Sequence, residues 1–282
     1  MGHYTNLTLS EVQDILNIYS LGEVEEITPL SYGISNSNFK VLVVKNSQSK
    51  PFLLKILINN QNKLNYEIVG VLTNSNSENI EEYSLINNLN ILKSLNEFLK
   101  LPSVDIVISV QYHEILRSIH IQKAKELAIN LHMAPLPEYR GCNQFSLAII
   151  ENRKIFGATI HKIDEGIDSG DILFESRFEI PKDCWVEDLY ELTYQKSINL
   201  FLKSLPNLIN MNFDLIPQES LYCKRGSSLH YRNEINDLKK IDLSWDKEKI
   251  EKHIRATSMK GFEPPFAEIQ GKKFFFKKIF DD

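Results

Sequence analysis

Asn130, His132 and Asp168 are the residues whose types and spacing could do chemistry together. The first two close an apolar run, Ala128 to His132, and residues two apart on a strand face the same side. They would form a polar pair at the carboxyl end of a strand, where the crevices of open parallel sheets take ligands. Asp168 lies in Asp164 to Leu173 (DEGIDSGDIL), a loop that returns from a neighbouring strand and can close over the histidine. A carboxylate beside an imidazole fixes the orientation of the ring and favours its charged form. A charged ring and a carboxamide are two donors for a developing oxyanion, as acyl transfer to an amine requires. Directly after His132 runs Met133 to Cys142 (MAPLPEYRGC), where Pro135 and Pro137 stiffen the chain and Gly141 permits a sharp bend.

The elements that must position these residues follow an alternation of short strand-like and longer helical apolar runs, the pattern of an α/β chain with parallel strands and crossover helices. Tyr66 to Leu72 (YEIVGVL) reads as a buried strand and Glu81 to Leu101 as helical, interrupted around Asn87 to Asn90. Asp105 to Val110 (DIVISV) has the continuous apolar character of a strand covered on both faces. Glu114 to Leu127 reads as helical before Ala128 to His132 returns as strand. Phe156 to Ile163 (FGATIHKI) and Asp171 to Ile180 form a hairpin around the acidic turn. Asp183 can cap a helix carrying Val186, Leu189, Thr193, Leu200 and Phe201 on one stripe and ending before Pro206. Beyond Asn210, Gln218 to Arg225 reads as extended, Asn233 to Leu238 and Asp246 to Ala256 as helical, and Glu268 to Phe280 as a terminal hairpin.

Composition narrows the function classes. The chain has 282 residues, 43% of them hydrophobic, which is ample for a packed core. A formal net charge of −5 supplies no field for nucleic acid. The three cysteines, Cys142, Cys184 and Cys223, lack the paired spacing of a zinc site, so no metal is expected, and the chain opens without a signal segment. A reduced, cytoplasmic protein is expected. No apolar run approaches the ~20 residues that span a bilayer.

The run NLHMAPLPEYRG followed by FGATIHKIDEGIDSGDIL resembles the signature of the folate-dependent formyltransferases, which act on glycinamide ribonucleotide, methionyl-tRNA or amino sugars. The resemblance covers roughly Tyr66 to Leu205. It implies a Rossmann-like catalytic domain over residues 58–205, with a C-terminal accessory module over 206–282. The family's catalytic Asn, His and Asp fall on Asn130, His132 and Asp168. N10-formyltetrahydrofolate would be the formyl donor. The loop after the strand Asp105 to Val110, with Gln111, Tyr112, His113, Ile115 and Leu116, would lie against the pterin, as would Asp164. The C-terminal run from His230 to Ile269 resembles the stub of amino-sugar N-formyltransferases, which points to a nucleotide-linked amino sugar as the acceptor. A methionyl-tRNA formyltransferase and a non-catalytic binding protein on the same scaffold stay open as alternatives. A homodimer is compatible with the resemblance.

Residues 1–57 instead resemble the N-terminal lobe of homoserine kinases and aminoglycoside phosphotransferases, through LSEVQDIL, LGEVEEITPLSYGISNSNFKV and FLLKI. Lys55 would be a nucleotide-contacting strand lysine. The catalytic and metal-binding aspartates of such a kinase have no counterpart later in the chain. No first strand or first helix of a formyltransferase is recognisable ahead of Tyr66, and a strand over Phe52 to Ile58 is expected to stand in for it. His161 reads as a packed or hydrogen-bonded wall residue outside the catalytic set, and Arg140 as a surface ion-pair partner. Lys272, Lys273, Lys277 and Lys278 read as guards of the exposed aromatic strand Phe274 to Phe276.

Overall fold

A computed structural model describes residues 39–45, 52–73 and 78–276. In it β1 (Phe39–Lys45) lies inside a seven-stranded sheet, flanked by β2 (Tyr66–Leu72) and by β4 (Val104–Val110). β3 (Ile91–Leu92) forms one edge beside β2, and β5 (Ala124–His132) follows β4. These five strands run parallel. Outside the main sheet, β6 (Arg140–Gly141) pairs in parallel with β9 (Leu229–His230). β7 (Ile155–Lys162) and β8 (Ile172–Glu179) complete the large sheet in antiparallel fashion. β10 (Phe266–Ile269) and β11 (Lys272–Phe275) form a separate hairpin that begins two residues before the expected terminal segment and overlaps it. The chain moves outward from β1 to β2 and β3, then returns to β4 and continues to β5. That reversal places a crevice beyond the carboxyl ends of the strands at the β1/β4 boundary.

The helices are α1 (Phe52–Leu64), α2 (Glu78–Ile86), α3 (Leu95–Lys100), α4 (Gln144–Ile150), α5 (Val186–Ile209) and α6 (Lys247–Thr257), with single helical turns between them. Along β4, Ile106 and Ile108 pack into a core with Leu54 and Leu57 of α1 and Phe201 and Leu205 of α5. Val107 faces the other side, into a core with Leu72, Phe98 and Ala128. A strand that alternates between two covered faces has no polar phase, which is why its sequence is continuously apolar. On β5, Ile129 and Leu131 join the α1 and α5 core, while Ala128, Asn130 and His132 alternate to the opposite face. A third core around Tyr139, Phe156, Leu189 and Ala256 ties α4, α5 and α6 to β7.

Several expectations change. Phe52 to Ile58 is the start of a helix, not a strand: Leu53, Leu54 and Leu57 are buried at helical spacing, and the apolar run continues into the polar INNQNKL. Periodicity does not separate a short apolar strand from a buried helix, and here the length of the element decides. Lys55 therefore sits on α1, its Nζ 5.0 Å from the Tyr83 ring centroid, rather than on a strand. The first strand and first helix expected to be missing ahead of Tyr66 are present as β1 and α1. The kinase-like phrases before Phe39 lie outside the described residues.

The stretch Glu81 to Leu101 breaks into α2, β3 and α3, because Asn88 adopts a left-handed φ of 54° and Ser94 caps α3 by accepting from Glu97 N at 3.3 Å. Glu114 to Leu127 is not a long helix. It holds one helical turn at 118–121, and β5 begins at Ala124, where the exposed Lys125 and Glu126 hide the strand pattern. Trp185 rather than Asp183 caps α5, its amide donating to Asp188 Oδ2 at 3.1 Å, and the helix runs through Pro206 to Ile209. Gln218 to Arg225 forms helical turns instead of an extended segment. Among the described residues no helix is long and apolar enough to cross a membrane.

If α1 belongs to the main core, Leu54→Ala should cost roughly 2–5 kcal/mol, because it removes a side chain that is fully buried between α1 and the sheet. Urea unfolding monitored by far-UV circular dichroism measures this, and a loss under about 0.5 kcal/mol would detach α1 from the core.

Candidate active site

The three candidate residues converge on one carboxylate. Asp168 comes from the loop between β7 and β8 and holds a left-handed φ of 48°. Its Oδ2 lies 3.5 Å from His132 Nδ1 and accepts from Gly141 N at 2.9 Å. Its Oδ1 accepts from Asn130 Nδ2 at 3.3 Å and lies 3.3 Å from His161 Nε2. Burial by itself would raise the carboxyl pKa. The His132 ring, then His161, then the Gly141 amide outweigh it and hold the group well below the usual carboxylate range. Asp168 is therefore an acceptor throughout the neutral range and not a proton donor.

Pairing of β5 with β7 sets Asn130 opposite His161 and His132 opposite Thr159. His161, left outside the catalytic set on sequence grounds, is thus a direct partner of Asp168. Its Nδ1 lies 2.7 Å from the Lys162 carbonyl, which only an N–H can satisfy, so Nε2 faces Asp168 and Asn130. The sequence places it on the same face as Thr159, but only the cross-strand register shows whom it meets.

The Pro-rich loop is fixed to this cluster. His132 Nε2 lies 2.7 Å from the Tyr139 carbonyl. Tyr139 is buried, and its hydroxyl donates to Glu151 at 2.6 Å and accepts from Arg153 Nε at 3.0 Å. Thr159 Oγ1 donates to the Ala134 carbonyl at 2.8 Å and accepts from Leu136 N at 3.3 Å, joining the loop to β7. Gly141 has φ 85°, and a Cβ there would lie 2.2 Å from the His230 carbonyl oxygen, so only glycine lets β9 approach. The Tyr139 carbonyl and the Gly141 amide are backbone groups, and no residue type in the sequence announces them.

The residues expected to face a pterin follow β4 or, for Asp164, lie in the β7–β8 loop. Gln111 turns the chain with φ 50°, and its Nε2 lies 2.9 Å from Met133 Sδ. The Tyr112 hydroxyl donates to Glu114 at 3.1 Å, and the His113 ring lies edge-on to Tyr112 at 4.7 Å between centroids. Leu116 is buried against Val107 and Ala128, whereas Ile115 is 64% exposed. Asp164 Oδ1 accepts from Gly166 N at 3.1 Å and from Ser169 Oγ at 2.7 Å, which shapes the turn leading to Asp168. Ser118 Oγ donates to Glu165 at 2.6 Å, so the segment that follows β4 and the β7–β8 loop touch. Asp164 and the loop after β4 thus border the same side of the sheet.

Residues 38–205 match the family model described as Formyl transferase. The methionyl-tRNA formyltransferase of Caldicellulosiruptor saccharolyticus is 29% identical over 201 residues, which cover 68% of this chain and 62% of that protein. The GDP-perosamine N-formyltransferase of Brucella melitensis is 26% identical over 175 residues, which cover 62% of this chain and 65% of that protein. The chain thus spans a little under two thirds of the length of these curated relatives. The solved N-formyltransferase of Helicobacter canadensis, in complex with folinic acid and dTDP-3-aminofucose, superposes with a TM-score of 0.66 at 25% identity, over 82% of this chain and 85% of that one. The matched region begins one residue before β1 and contains Asn130, His132, His161 and Asp168, and the chain belongs to the formyl transferase family.

Proposed function

We propose that this protein transfers a formyl group from N10-formyltetrahydrofolate to the primary amine of a nucleotide-linked amino sugar. The observation that carries the reading is a mostly buried Asp168 carboxylate shared by Asn130, His132 and His161 at the carboxyl end of β5. The loop after β4 suits the folate: an exposed Ile115 and the Tyr112 ring supply apolar surface beside a left-handed turn at Gln111. Bound there, the donor supplies an electrophilic formyl carbon.

The neutral amine forms a bond to that carbon, the bond from the carbon to N10 of the folate breaks, and the proton released by the amine passes to N10. Asn130 and His132 stabilise the charge that develops on the formyl oxygen. For His132 this means exchanging or sharing its bond to the Tyr139 carbonyl, and such contacts commonly re-form when substrate binds. Asp168 orients the ring through its contact with His132 Nδ1.

Support for the acceptor class comes from the relatives. The Helicobacter canadensis structure holds a folate and a nucleotide-linked amino sugar, and the Brucella melitensis relative is named for one. A tRNA acceptor is the second reading, favoured by the identity to methionyl-tRNA formyltransferases. Against it, the formal net charge of −5 provides no general attraction for RNA.

His132→Ala and Asp168→Asn should each lower the turnover number ~10²- to 10⁴-fold with the fold intact, as read from release of free tetrahydrofolate. Asn130→Ala should cost ~3 kcal/mol, about a hundredfold or more in rate. A folded His132→Ala protein near the wild-type rate would remove the assignment. The acceptor is tested by incubating the protein and N10-formyltetrahydrofolate with nucleotide-linked 3-amino and 4-amino sugars, glycinamide ribonucleotide and initiator methionyl-tRNA. Turnover with an amino sugar is expected, and turnover with tRNA alone would reverse the ranking.

A further inference from the structure

We infer that Gln218 is a positioning residue for Asp168, an inference that rests on the formyl-transfer reading of Asp168. Gln218 lies beyond residue 205, where the family match ends, and only 2% of it is exposed. Its Nε2 donates to the Asp168 carbonyl at 2.9 Å and to the Gly170 carbonyl at 2.7 Å. Both hydrogens of one side-chain amide are thus placed on the two carbonyls that bracket Ser169. The segment is brought there by reciprocal backbone bonds between Ile172 and Ile216, each 2.9 Å.

Asp168 needs such a hold for two reasons. Its left-handed φ of 48° is sparsely populated by non-glycine residues, though aspartate tolerates it better than most, and contacts from its surroundings favour it. The loop also has no slack on its other side. A Cβ at Gly170 would lie 2.1 Å from the Lys162 carbonyl oxygen, and Lys162 N donates to the Asp171 carbonyl at 2.9 Å, so the chain is pressed against β7. The Asp168 carboxylate is held by His132, His161, Asn130 and Gly141, and its own carbonyl by Gln218, which leaves one orientation.

Packing alone does not account for this side chain. Gln218 Oε1 is buried without a hydrogen-bond partner among the described residues, and a buried amide oxygen without a partner is destabilising. A leucine or methionine would fill the space without that penalty. What glutamine adds is the pair of donors, and both of them reach the Asp168 loop.

The test is kinetic. Gln218→Met keeps the length of the side chain and removes its donors, and Gln218→Asn keeps the amide but draws it back by one methylene. With the panel acceptor that turns over, Gln218→Met should lower kcat about 10- to 100-fold, as small misplacements at a reacting centre do. KM for N10-formyltetrahydrofolate and the affinity for 5-formyltetrahydrofolate should stay within about twofold, because the folate contacts are untouched. Gln218→Asn should fall between Gln218→Met and wild type. In an Asp168→Asn background, Gln218→Met should cost nothing further, since the residue acts through Asp168. A wild-type kcat in folded Gln218→Met would overturn the inference. So would additive losses in the double variant, or a parallel fall of thermal midpoint, folate affinity and kcat. If Asp168→Asn itself turns over normally, the reading of the site fails first. If Asp168→Asn is slow and Gln218→Met is normal, only the positioning role fails.

Discussion

A carboxylate taken largely out of water must be surrounded by donors, or it takes up a proton and loses its charge. Asp168 meets that condition with groups drawn from separate parts of the chain. Asn130 and His132 arrive from β5, His161 from β7 and the Gly141 amide from the loop after β5. Each of these placements follows from a constraint on the backbone. The parallel sheet brings the end of β5 to the crevice, the antiparallel register of β7 sets His161 opposite Asn130, and β9 locks Gly141 by approaching closer than any side chain would allow.

The wider scaffold keeps these approaches in register. Ile106 and Ile108 on one face of β4 and Val107 on the other pack two cores against a single strand, so β4 and its neighbour β5 have little freedom to slide. Outside the site, Arg177 pairs with Glu138 at 2.7 Å and with Glu175 at 3.1 Å, and Arg225 pairs with Glu175 at 2.9 Å. The side chains of these pairs are all less than a third exposed. Their arrangement matters, because they tie the Pro-rich loop and the segment at 222–225 to the same strand, β8. The chain after residue 205 therefore closes over the region matched by the family rather than trailing from it.

Much of this was legible in the sequence. Strands β2 and β4 and the end of β5 from Ala128 are legible as apolar runs because parallel strands buried on both faces carry little else, and Asn130, His132 and Asp168 stand out by type and spacing. The first strand and helix are not. FLLKILI is apolar at nearly every position, so it carries no period, and the preceding residues resemble a kinase lobe rather than a strand of this sheet. His161 reads as a wall residue, since its meeting with Asp168 depends on a register that one strand does not encode. The Tyr139 carbonyl, the Gly141 amide and Gln218 gave no signal: two are backbone groups, and the third is one polar residue in a stretch without regular pattern.

The most direct measurement of the central claim is a crystal structure with a hydrolytically stable N10-formyl folate analogue bound. The account predicts the formyl oxygen about 3 Å from the Asn130 and His132 donors, with Asp168 still against His132. A formyl group seated away from these residues, or an Asp168 turned out of the cluster when the folate is bound, would contradict it.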